Sequence, residues 1–130
     1  MNKLIITNNS LVFEKYHSNY DVIYLKDAGY LDVLYAARDR IHLSYVLLTH
    51  PMAGSLKPNQ TPYKSIIVAQ GENGLDIESV VLIENSISAA QKFLRDRGTP
   101  SWSEKILSDF RTVDLSLMED AIQKRSLIAI

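Results

Sequence analysis

Apolar residues recur along the chain with two spacings. Nearly unbroken runs at residues 4–7, 22–25, 45–49 and 65–69 are rich in β-branched and aromatic side chains and predict four strands. The first three are continuous rather than alternating, the pattern of strands covered on both faces. Between them, residues 10–17 carry Leu11, Val12 and Phe13, and residues 30–42 carry Leu31, Leu34, Tyr35 and Ile41 at helical spacing. Strand and helix therefore alternate twice, as in consecutive βαβ units. After Gly71 and Gly74, the apolar positions Ile77, Val80, Ile83, Ile87, Ala90 and Leu94 describe a long amphipathic helix that stops at Gly98. Ser101-Trp102-Ser103-Glu104 and Ser116-Leu117-Met118-Glu119 both have the capping-box spacing, and predict two more helices at 102–110 and 115–126.

The step from the third strand to the fourth breaks the alternation. Pro51, Gly54, Pro58 and Pro62 leave no room for a crossover helix, so the fourth strand is expected to run antiparallel at an edge. The pattern predicts one small α/β domain over residues 1–130. It is Rossmann-like and three-layered: a mostly parallel sheet of four strands in the order 2-1-3-4, with helices on both faces.

Composition narrows the function classes. A chain of 130 residues fills one domain, burying roughly two-thirds of its unfolded surface. Cysteine is absent, which excludes disulfides, thiolate nucleophiles and thiolate metal sites. Apolar runs reach only about five residues, far short of a membrane span, and a net charge of −1 gives no field to gather nucleic acid. The expectation is a soluble cytoplasmic protein with no nucleic-acid or membrane partner.

Candidate chemistry concentrates after the strands. In an open parallel sheet the crevice lies beyond the carboxyl ends, at the point where strand order reverses. The expected order brings Asn8 and Asn9, after the first strand, to Thr49 and His50, after the third. The loop 50–63 follows, restricted by its prolines and therefore cheap to order around a ligand. Gly54, Ser55 and Lys57 offer backbone N–H groups, a hydroxyl and an ammonium able to bind a carboxylate or phosphate, with Asn59 and Thr61 as further polar groups. His50 serves either as a general acid or base or as a strand cap bonded to loop carbonyls. By default Asn8 and Asn9 close a strand-to-helix turn, one of them as N-cap. His17 and His42 stand at helix ends, suited to the last carbonyls. No Walker spacing, Gly-x-Gly-x-x-Gly, Gly-x-Ser-x-Gly or paired-histidine motif occurs, and neither metal nor cofactor is implied.

The residues Ile5-Ile6-Thr7-Asn8-Asn9, Leu47-Leu48-Thr49-His50-Pro51, Gly54-Ser55, Lys57-Pro58-Asn59, Thr61-Pro62-Tyr63-Lys64-Ser65-Ile66, Asp109-Phe110 and Asp114-Leu115-Ser116-Leu117 together resemble the GrdX family. The likeness spans most of the chain, and the central loop is its specific part. Ser10 stands where the resemblance leads one to expect proline. The resemblance implies a small protein encoded beside glycine, sarcosine or betaine reductase components in anaerobic amino-acid-fermenting bacteria, a family without an established activity. Reductases of that kind handle carboxylates, an acyl intermediate and phosphate, to which an anion-binding loop is chemically apt.

Three functions follow as expectations. The first is an accessory or ligand-sensing protein of a glycine-reductase-type system, whose loop 50–63 binds a small anion or a reductase component. The second is a small enzyme with His50 as acid or base and Lys57 plus backbone N–H groups stabilising negative charge. The third is an assembly factor, a homodimer or partner-bound subunit, for which the apolar tail Leu127-Ile128-Ala129-Ile130 provides a contact.

Overall fold

The fourth run, buried along nearly its whole length, takes a central place in the sheet, and this overturns the expected strand order. A computed structural model describes residues 2–52, 56–72 and 74–123. In it the strands are β1 (Lys3–Thr7), β2 (Asp21–Tyr24), β3 (Tyr45–Leu47) and β4 (Ser65–Gln70), and the order is β2-β1-β4-β3. β1 is parallel to β2, while β4 is antiparallel to both β1 and β3. The sheet is mixed, not mostly parallel, and the fourth strand is antiparallel as expected but central instead of at an edge.

Burial explains the exchange. Ile66, Ile67, Val68 and Ala69 are all essentially inaccessible, whereas Tyr45 and Val46 of β3 are half-buried. Placing the longer apolar strand inside, paired along both edges, removes more apolar surface from water. β4 pairs with β1 over five residues, from Lys3 opposite Ala69 to Thr7 opposite Ser65, but with β3 over only three. The exposed edge of β3 is managed by a side chain: the Ser79 hydroxyl accepts from the Leu47 N–H at 3.0 Å.

The helices are α1 (Ser10–Tyr16), α2 (Tyr30–Ile41), α3 (Ile77–Asp96) and α4 (Glu104–Gln123). They cover both faces, as the pattern indicated. Leu4, Ile6, Ile66 and Val68 point to one face, packed with Val33, Leu34 and Ala37 of α2 and Ile83 and Ile87 of α3. Ile5 and Ile67 point to the other, against Val12 and Tyr16 of α1 and Met118 of α4.

The last two expected helices are one. Nothing between residues 110 and 115 breaks a helix, so Ser116 lies within α4 rather than capping a new element. The start also differs: Ser103, not Ser101, caps it, its hydroxyl accepting from the Ile106 N–H at 3.4 Å and its carbonyl from Leu107 at 2.9 Å. Among the described residues no helix is long and apolar enough to cross a membrane. The tail 127–130 lies outside the described residues.

The turn into β3 is closed by the Gly71 N–H donating to Ser44 O at 2.9 Å. A Cβ on Gly71 would stand 2.6 Å from that oxygen, while one on Gly98 would meet nothing within 4 Å. Gly71→Ala is expected to cost about 1–3 kcal/mol in urea denaturation, and Gly98→Ala less than about 0.5 kcal/mol; equal effects would show that the turn yields.

Candidate functional site

The carboxyl end of β1 is where polar groups enter the core. Asn9, fully buried, caps α1 through its Oδ1, which accepts from the Leu11 N–H at 3.1 Å. Its Nδ2 donates across the domain to Arg111 O at 2.9 Å and Asp114 Oδ2 at 3.0 Å. Asn8 is a clamp. Its Nδ2 donates to Ala28 O at 2.9 Å and Pro62 O at 2.8 Å, and its Oδ1 accepts from the Lys64 N–H at 2.9 Å. Asn9 thus has the capping role expected by default, while the Asn8 side chain makes its bonds outside its own turn and ties three loops together.

Because β4 runs antiparallel beside β1, its first residue Ser65 lies opposite Thr7. This closes a ring of hydrogen bonds. The Asn9 N–H donates to Thr7 Oγ1 at 3.0 Å, Thr7 and Ser65 share a bond of 2.6 Å, and the Ser65 hydroxyl donates to Asp114 Oδ2 at 2.7 Å. Since a serine has one proton and gives it to the carboxylate, the Thr7 hydroxyl is the donor to Ser65. Asp114, 8% exposed on α4, completes the ring through Asn9. Burial pushes its carboxyl above the ordinary carboxylate value, opposed by the bonds from Asn9 and Ser65 and by the charge of Lys64.

Lys64 is the unusual group. It is 7% exposed, and burial pulls its ammonium from the ordinary 10.5 down to about 8, against the opposing pull of Asp114. Among the described residues no carboxylate lies within 4 Å of its nitrogen and none accepts a hydrogen bond from it; the nitrogen stands 6.0 Å from the centre of the Tyr30 ring. Burial also raises the Tyr30 phenol, with the charge of Asp114 adding to the rise. Lys64, Tyr30, Thr61, Tyr63 and Asp114 line a cavity of about 20 Å³ together with Leu56, Phe110, Val113 and Leu117.

The residues singled out in the sequence divide around this cavity. Thr61 is 4% exposed and lines it, its Oγ1 accepting from the Tyr63 N–H at 3.1 Å. His50 is exposed; its Nδ1 accepts from the Met52 N–H at 3.0 Å, and partial burial together with the charge of Lys64 holds its pKa below the ordinary 6.5. Thr49 is buried and its Oγ1 accepts from the Ile67 N–H at 3.0 Å, a strand bond. Lys57 and Asn59 face α3: the Lys57 nitrogen stands 5.5 Å from the Phe93 ring, and Asn59 Nδ2 donates to Phe93 O at 3.4 Å. Gly54 and Ser55 lie outside the described residues. His17 sits at its helix end as expected, Nδ1 2.9 Å from Phe13 O.

Lys64, Ser65, Asp114 and Tyr30 were not legible as site residues. Asp114 carried a signal nonetheless. It stands between Leu107 and Met118 at helical spacing, a charge inside an apolar stripe, visible only once residues 104–123 are read as one helix. Lys64 abuts the most buried strand, where a charge is costly unless something is there to meet it.

These features define a small three-layer α/β protein with a buried lysine and a hydrogen-bonded carboxylate at the carboxyl end of its first strand. The chain belongs to the GrdX family: the family model described as GrdX-like protein matches residues 4–123. Comparison with curated proteins and with solved structures gives no match.

Two outcomes follow from the ring and the lysine. Asn9→Ala removes a helix cap and a donor to a buried carboxylate, and is expected to cost about 2–4 kcal/mol in chemical denaturation. The Lys64 value is about 8 in the folded protein, below the ordinary 10.5, so between these two pH values the unfolded chain binds more protons and stability rises with pH. The rise amounts to about 3 kcal/mol. Lys64→Met is expected to flatten it; urea denaturation between pH 7 and about 10.5 measures both slopes, and an unchanged slope in the variant would assign the rise to other groups.

Proposed function

We propose that the chain is a small-anion-binding accessory protein of a glycine-reductase-type amino-acid fermentation system, holding its ligand at Lys64 beside Leu56, Thr61 and Tyr63. The observation that carries this reading is Lys64, a residue only 7% exposed that lines the cavity and whose ammonium has no acceptor among the described residues. Its ammonium is largely withdrawn from water, a cost that a bound carboxylate or phosphate offsets by supplying a charge-assisted hydrogen bond. Family membership supports the metabolic setting. This reading moves the anion-holding role from Lys57, which faces Phe93, to Lys64.

Binding is favoured over catalysis by the same geometry. The His50 ring is exposed, with Nδ1 occupied by the Met52 N–H. Asp114 accepts from the Ser65 hydroxyl, but Ser65 is 5% exposed and its oxygen accepts from Thr7, which closes that pair to a substrate.

Thermal unfolding with acetate, inorganic phosphate, acetyl phosphate, glycine, sarcosine and betaine, at constant ionic strength, tests the proposal. A ligand at roughly 100 times its Kd is expected to stabilise the protein by about 2.7 kcal/mol, and Lys64→Met is expected to abolish the response. If no probe raises the Tm, or if Lys64→Met responds like the unaltered protein, the proposal fails.

A further inference from the structure

The size and walls of the Lys64 cavity restrict what enters it. Its volume of about 20 Å³ exceeds only slightly the roughly 10–15 Å³ that one water requires. A single small polar group therefore reaches the lysine, and the remainder of any ligand stays in the mouth.

The two ends differ in chemistry. At the closed end, Lys64 has protons without a described acceptor, and the Thr61 hydroxyl, already accepting from Tyr63, retains a proton to donate. Both demand an acceptor. The mouth is hydrocarbon: Leu56, Phe110, Val113 and Leu117, of which Val113 is 42% and Leu117 45% exposed. A ligand carrying its own ammonium next to its carboxylate is poorly matched, because with the carboxylate on Lys64 that second cation would be held close to the Lys64 charge and beside the hydrocarbon of Leu56, Phe110, Val113 and Leu117. A phosphate dianion is poorly matched as well, since Lys64 is the one cationic side chain among the lining residues.

Resting on the anion-binding reading, we infer that the ligand is a short-chain monocarboxylate of acetate-to-butyrate size, its carboxylate on Lys64 and Thr61 and its hydrocarbon end against Phe110, Val113 and Leu117. Each methylene added within the mouth then tightens binding roughly fourfold, until the apolar walls are covered.

Isothermal titration calorimetry of the full chain with acetate, propionate, butyrate, glycine and inorganic phosphate at one ionic strength provides the test. The expected result is an affinity order butyrate, propionate, acetate, with glycine and phosphate at least tenfold weaker than butyrate. Leu117→Ser, at a half-exposed position that leaves the core intact, is expected to flatten the dependence on chain length while acetate binding persists. Lys64→Met, checked for folding by circular dichroism, is expected to bind none of them. A preference for glycine or phosphate that depends on Lys64 overturns this inference and leaves the anion-binding reading standing. Monocarboxylates that bind without chain-length dependence, or with a dependence Leu117→Ser does not alter, also overturn it. Absence of binding by every probe overturns both.

Discussion

The pairing of Thr7 with Ser65 is the contact on which the remaining architecture turns. It sets β4 antiparallel against β1, and only in that direction does the start of β4 meet the end of β1. A parallel strand would have placed Gln70 there, and Lys64 at the far edge of the domain. With the observed register, two hydroxyls, an amide and the Asp114 carboxylate form one ring, which ties the central strands to α1 and α4. Buried polar networks in which every member has its partner fix one arrangement of a core, since any slip leaves a group unpaired. A one-residue slip here would also exchange the two apolar faces of β4.

Lys64 and Asp114 form a pair of opposite charges that sense each other without touching. Removing both from water is expensive, and packed apolar side chains in their place are often as stable or more so. The carboxylate earns its position structurally, as the acceptor that α1 and β4 share. The ammonium has no such structural employment. A group whose burial lowers stability, and which ties nothing together, is the kind that function retains.

Much of this fold is legible in the order of residues. Strands β1 and β2, helices α1, α2 and α3, the covering of both sheet faces and the Asn9 cap all follow from local spacing and capping chemistry. Strand order does not, because proline and glycine in the loop 50–63 reveal that the chain turns back but not which strand takes the inner position. The unbroken apolar content of residues 66–69 is the available clue: a strand covered on both faces and long enough to pair twice belongs inside. The capping-box match at Ser116 misled for a related reason. Serine and glutamate three apart also occur in helix interiors, and the spacing decides a boundary only where a turn or breaker precedes it. Splitting α4 there hid Asp114, and with it the partner that makes Lys64 intelligible. The polar content of the loop is plain in the sequence, yet its lysine and asparagine turn to α3, and the buried lysine lies one residue beyond it.

The bond from Asn9 to Asp114 joins residues 105 apart in sequence. The central strand pair spans nearly sixty, as in the Thr7–Ser65 contact with its separation of 58. Contacts so distant form only after long loops have closed, which slows folding relative to domains built from neighbouring elements. On the ribosome, the half-sheet of β1 and β2 emerges with its inner edge open and must wait for about half of the chain, through Gln70, before β4 covers it. The domain therefore has no early stopping point: its polar centre is assembled last, when α4 arrives.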